Sequence, residues 1–361
     1  MVRAKTLLRS AARAFGSKEA VSRARCVVAE AEIALASRDL SWPAKALDAA
    51  RATLEAHGDP VNAAHARFLE ARRLLLIGRL DEAELTLAQL DPAPFPPASR
   101  AVHALVVAGI AVRRLRTKAA RAALARAEHA ARHAGIPALT AEVQSAFLVL
   151  KAPAARLIAR GQERFLLLDE VEALLASKAL VVDACRHAVR EAGTVVSLAR
   201  RPVLFALARA LAEAWPADVP RDALIARAFR ARHADASHRA RLRVEIGRLR
   251  TVLGPLAGVV ATRRGFALVP HVAREVVVLA RPVDEAHAAV LAFVADGESW
   301  SSSALAVALG ASQRTVQRAL DALAAAGKVQ SFGRGRARRW LTPPVPGFAT
   351  TLLLPAPLPG D

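Results

Sequence analysis

The chain has 361 residues, too many for one ordinary core, so two or three domains are expected. Its formal charge of +20 favours polyanionic partners, and its 54% of hydrophobic side chains leaves ample surface to bury. Composition argues against a membrane-spanning helix, since no run of about 18 uncharged apolar residues occurs, and against a disulfide or CxxC metal framework, since Cys26 and Cys185 stand far apart.

The first ten residues are basic but lack an apolar stretch and a cleavage site, so no secretory signal is expected. Together with the two isolated cysteines, read as small buried hydrophobes, this fits a cytoplasmic setting. The charge carries little weight by itself. Its excess is largest in residues 1–160 and slight in residues 277–361, and a chain this rich in Arg and Ala reflects genomic base composition as readily as function.

Residues 18–150 are almost entirely helix-forming, with breaks near Trp42-Pro43, Gly58-Asp59-Pro60, Pro92 to Pro97 and Gly135-Ile136-Pro137. The segments between them are amphipathic and of a length that suits antiparallel helix pairs. Two helices flank Gly78-Arg79-Leu80-Asp81-Glu82-Ala83, where a small residue ends one helix and a Glu-Ala pair opens the next. This resembles the middle of a tetratricopeptide repeat; Ala44 to Ala50 and Lys118 to Ala125 stand as the second helices of neighbouring units. Such repeats imply a surface for another protein or a second copy of the chain.

Near residue 179 the pattern changes. Leu180 to Asp183 and Thr194 to Leu198 are short β-branched runs separated by a polar stretch ending at Gly193. Helices are expected at 201–214, 221–230 and 236–253, and Gly258 to Val269 reads as strand, basic turn and strand. Several residues then carry a resemblance to the winged-helix effector domain of OmpR/PhoB-type regulators, also found at the front of the SARP class of activators. They are Val196-Ser197-Leu198 with Pro202 to Leu207, Pro220 to Ile225, Arg243-Val244-Glu245-Ile246-Gly247-Arg248-Leu249-Arg250 with Leu253, and Thr262-Arg263-Arg264-Gly265-Phe266. The match covers about 179–270, with Phe229 in place of the usual Trp, a shortened wing, and Glu245 where many relatives carry His.

The resemblance implies DNA contacts from the third helix, where Arg239, Arg241, Arg243, Arg248 and Arg250 recur, and from Arg263 and Arg264 on the wing. Leu242, Val244, Ile246, Leu249 and Leu253 are expected to include that helix's buried stripe, so not every arginine faces outward. No acidic phosphoacceptor domain precedes this region, so control by aspartyl phosphorylation is not expected.

In the C-terminal region, a first helix is expected from Asp284 to Ala295. Ser302 to Leu309, a tight turn at Gly310-Ala311-Ser312, and a helix over 312–326 then read as a helix-turn-helix. Leu305, Leu309, Val316, Leu320 and Leu323 fall on facing sides of the two helices. A basic hairpin of residues 331–340 completes what resembles a DeoR/MarR-like winged helix at about 284–342. A recognition helix needs bidentate polar groups for base edges and cations for phosphates. Ser312, Gln313, Arg314, Thr315, Gln317 and Arg318 supply them on the helix, and Arg334, Arg336, Arg338 and Arg339 on the wing. Six prolines crowd the last twenty residues, a tail expected to be extended or partly disordered.

No phosphate-binding glycine loop, dinucleotide fingerprint, zinc-protease helix or nucleophile elbow occurs. His129 and His133 share a helix face without a third ligand of matching spacing. No catalytic residue, cofactor or metal is therefore assigned. The expected architecture is mainly α: antiparallel helical-hairpin repeats in 1–160, then two winged helix-turn-helix domains with small β-hairpins at 161–276 and 277–342, and a Pro-rich tail at 343–361. The expected function is sequence-specific binding of double-stranded DNA in transcriptional regulation, with no membrane partner. The alternative is a non-catalytic scaffold whose winged helices bind proteins.

Overall fold

A computed structural model describes residues 2–15, 19–40, 42–229, 231, 235–282, 287–295, 298–333, 335 and 338–342. The expected Pro-rich tail and the wing residues Arg334 and Arg336 lie outside these. The chain is mainly helical and divides into two compact units: residues 1–152 with 285–361, and residues 153–284.

Eight helices open the first unit: α1 (Val2–Ala14), α2 (Ala20–Ala36), α3 (Ala44–Ala56), α4 (Pro60–Leu76), α5 (Leu80–Ala88), α6 (Pro97–Arg113), α7 (Thr117–Ala134) and α8 (Pro137–Lys151). Each packs on the next across a short connection, and the four expected breaks all fall between helices. Proline in the first turn of α4, α6 and α8 fixes where they begin, because its missing N–H is not needed there. Asp59 caps α4 by accepting from the Asn62 N–H at 3.2 Å.

The core is built largely of alanine, which lets helices approach closely, around a few large side chains. Phe68 is fully buried and meets Phe95 and His103 edge-on. From α6 the Arg113 guanidinium reaches the Leu75 carbonyl at the end of α4, adding a second donor to a carbonyl that already accepts from the Gly78 N–H at 3.2 Å. Burial lowers its pKa to about 10.

The second unit holds β1 (Ala155–Ala159), β2 (Gln162–Leu166), α9 (Leu168–Ala176), β3 (Leu180–Asp183), β4 (Ala188–Glu191), β5 (Thr194–Ser197), α10 (Pro202–Ala214), β6 (Val219–Pro220), α11 (Arg221–Phe229), α12 (Ala236–Leu253), β7 (Ala257–Ala261), β8 (Gly265–Pro270) and β9 (Val276–Ala280). Six strands form one sheet in the order β2-β1-β9-β3-β4-β5, with β3 and β9 parallel and the other pairs antiparallel. A smaller sheet runs β6-β8-β7. One core joins the inner faces of the sheets to α10, α11 and α12, with Leu207, Leu211, Leu224 and Leu249 fully enclosed.

The three helices and the closing hairpin stand where the sequence puts them. The six-stranded sheet is larger than expected: β1, β2, β4 and β9 join the two runs read as strands. One expected core residue is corrected. Leu242, Ile246, Leu249 and Leu253 form the buried stripe of α12 at spacings of four, three and four, whereas Val244 lies off that row and is 54% exposed.

The first unit closes with α13 (Ala288–Val294), α14 (Ser302–Leu309), α15 (Gln313–Ala325) and a hairpin of β10 (Gln330–Phe332) and β11 (Arg339–Leu341). Trp300 and Trp340 are fully buried and exchange both backbone hydrogen bonds at 2.8 Å, tying the start of α14 to the hairpin. Their core is continuous with that of α2, α3 and α4, and the Arg38 guanidinium lies 5.6 Å from the centre of the Trp300 ring.

Candidate nucleic-acid interface

The turn between α14 and α15 is held at both ends. Gly310 ends α14 with φ +61°, a left-handed conformation that costs glycine nothing. The Ser312 Oγ then accepts from the Thr315 N–H at 3.2 Å and contacts the Thr315 Oγ1 at 2.8 Å, starting α15 with its own cap. Val316, Ala319, Leu320 and Leu323 are buried, so the opposite face of α15 is fixed toward solvent.

That face presents Arg314 and Arg318 one turn apart, both exposed and neither paired with another described residue. The glutamines beside them are engaged. Gln313 Nε2 donates to the Ser302 Oγ at 3.2 Å, and Gln317 Nε2 donates to Asp321 Oδ1 at 2.9 Å. Ser312 and Thr315 serve the cap. Of the six side chains expected to read a partner on this helix, the two arginines are the ones that make no hydrogen bond with a described residue.

On the hairpin, the Arg338 guanidinium carbon lies over Trp340, 4.2 Å from the ring centre, and the side chain donates to the Ser331 Oγ at 3.2 Å. Arg339 donates from Nη1 to the Arg338 carbonyl at 3.2 Å. These two arginines brace the wing as well as charging it.

In the second unit α11, α12 and the β7–β8 hairpin make the corresponding arrangement. Gly265 is dictated by sterics, since a Cβ there would sit 1.7 Å from the Val219 carbonyl oxygen across the β6–β8 pairing. The Thr262 hydroxyl donates to Asp218 and accepts from the Gly265 N–H at 2.9 Å. Arg221 is the residue that sequence reasoning passed over. Its guanidinium donates to the Thr262 and Arg263 carbonyls, both at 3.1 Å, and stacks 5.5 Å from the centre of the Phe266 ring. A cation in the first turn of a helix opposes the helix dipole, and that misfit was the available signal of another task.

The α12 arginines are mostly committed. Arg239 pairs with Asp222 at 3.7 Å, Arg241 lies 4.5 Å over Phe229, and Arg248 pairs with Glu245 at 2.9 Å. Arg250 donates from Nε to the Val259 carbonyl at 2.6 Å. The side chains of Arg243, Arg263 and Arg264 are exposed and make no ion pair with a described residue.

No family model, no curated protein and no solved structure matches the chain. The two units must be read on their own geometry.

Elsewhere, the His129 and His133 rings lie 4.4 Å apart, and no group of three metal-ligating side chains occurs among the described residues. Burial, and then the Asp183 carboxylate, push the Cys185 thiol up to about 12, which keeps it protonated and a poor nucleophile at neutral pH. Among the described residues no helix is long and apolar enough to cross a membrane.

Proposed function

We propose that the chain is a sequence-specific regulator of transcription that binds double-stranded DNA through two winged helix-turn-helix modules. The N-terminal helical pairs serve another protein or a second copy of the chain. The observation that carries this reading is Arg314 and Arg318: unpaired cations on the outer face of a capped helix whose inner face is wholly buried. A guanidinium in that position binds guanine O6 and N7 in the major groove through two parallel bonds, discriminating by about 1–3 kcal/mol per pair. Support also comes from the resemblance of residues 179–270 to the OmpR/PhoB effector domain and of 284–342 to DeoR/MarR winged helices. The free side chains of Arg243, Arg263 and Arg264 meet phosphates, and linkage of two weak modules raises their joint affinity through effective concentration.

An electrophoretic shift on genomic fragments, repeated with Arg314→Ala and Arg318→Ala together, is the direct test. The double variant is expected to lose about 30-fold or more in affinity for selected fragments, and unchanged selectivity would reject the assignment of α15. A second reading, a protein-binding scaffold, is favoured by a specific observation: the cations of α12 are largely occupied within the chain, and Glu245 and Asp321 stand on the helices meant for phosphate. Phosphate contacts give a steep fall of log K with log salt, and a scaffold gives none.

A further inference from the structure

The solvent face of α12 contains a glycine that the fold does not use. Gly247 sits inside an 18-residue helix, where glycine costs stability relative to alanine. A Cβ built on it meets nothing within 4 Å. The contrast with α6 is direct, because a Cβ on Gly109 would come within 2.7 Å of the Leu75 Cδ2, so packing explains that glycine. The missing side chain at 247 leaves a recess opposite the buried stripe.

The walls of the recess are apolar in character. Val244, one turn before, is a β-branched side chain 54% exposed. Thr251, one turn after, donates its hydroxyl hydrogen to the Gly247 carbonyl at 3.3 Å, so that hydrogen is not offered outward. Arg243, one turn before Gly247, is an exposed cation with no ion pair to a described residue and is placed to meet a phosphate beside the recess, whereas Arg248 is held by Glu245. The one apolar group that a DNA base pair projects into the major groove is the C5-methyl of thymine.

We infer that Gly247 is the point of closest approach between α12 and the floor of the major groove, and that the recess at Gly247, walled by Val244, accepts a thymine methyl. The inference rests on the proposed DNA-binding function and adds to it a specificity-determining position. In vitro selection from a random duplex pool, run in parallel with the full-length chain and with Gly247→Ala, tests it. Sites recovered by the native chain are expected to share a thymine that the variant's sites lack. Replacing that thymine by uracil should weaken native binding about 4-fold, the effect of one methyl group, and leave the variant's binding to the same duplex unchanged.

Gly247→Ala itself should raise the unfolding midpoint while weakening binding to the native site about 10-fold, a pairing of effects that a misfolded variant does not produce. A variant that binds the native site undiminished and keeps its uracil sensitivity overturns the inference and leaves the DNA-binding reading standing. A native chain that enriches no sequence removes both.

Discussion

The helices of the two helix-turn-helix modules use arginine differently. In the second unit one arginine of α11 and one of α12 are structural: Arg221 ties the wing turn to α11, Arg250 fastens α12 to β7, and their guanidinium groups lie 5.5 and 6.0 Å from the centre of the Phe266 ring. In the C-terminal module Arg338 and Arg339 brace the hairpin, but on α15 the bracing is done by capping hydroxyls and glutamine amides, which leaves Arg314 and Arg318 unencumbered. Count of cations therefore says little about a surface. What matters is which of them the fold has already satisfied.

The most severe way to break this contrast is Gly265→Ala. The added carbon would collide with backbone atoms of Val219, which cannot swing aside, and would force β6 from β8. The expected cost is about 4 kcal/mol or more. Chemical denaturation of the full chain should show an early transition from the second unit, with far-UV signal from the N-terminal helices retained to higher denaturant. A single transition, unshifted from that of the native chain, would show that the β6–β8 approach is not the constraint it looks to be.

Arg221→Ala is a gentler version of the same experiment. It removes two charge-assisted hydrogen bonds to turn carbonyls and one ring stack, an expected loss of about 2 kcal/mol. Arg248→Ala, by contrast, removes an exposed pair three residues apart on one helix and should change stability by no more than about 0.5 kcal/mol. Equal effects on the midpoint of unfolding would erase the distinction between bracing and decorating arginines in this unit.

The helices and their ends were legible because proline, glycine and capping residues act locally: Pro60, Pro97 and Pro137 open helices wherever the rest of the chain goes. Helical periodicity likewise separates Leu242, Ile246, Leu249 and Leu253 from their neighbours. Val244 was grouped with them on hydrophobicity alone, although two residues along a helix from Leu242 is nearly the far side. The strands were harder to see. Edge strand β2 reads Gln162-Glu163-Arg164 with only its last residue buried, and β4 carries Arg190 and Glu191, so neither shows apolar alternation.

The wholly buried β9, Val276 to Ala280, is a short apolar run whose period cannot tell strand from helix. At the candidate interface, the sequence delimits the helix but not which of its side chains are already bonded. Gln313 meets Ser302 eleven residues away, a pairing set by the angle between two helices and invisible in either one.

Two variants at Ser312 separate the cap of α15 from its outer face. Ser312→Ala removes the acceptor for the Thr315 N–H and should cost about 1 kcal/mol, read as a lower unfolding midpoint of the first unit. Ser312→Asp keeps an acceptor at the same place and adds a negative charge at the positive end of the helix dipole, so stability should return to the native value or slightly above it. The same carboxylate would stand beside Arg314 at the end of the helix proposed to approach DNA, and would repel phosphate. The two variants thus move stability in opposite directions, and of the two the aspartate should lower DNA affinity further. If affinity instead follows stability through the pair, the N-terminal end of α15 is a structural support, and the contact surface begins no earlier than Arg318.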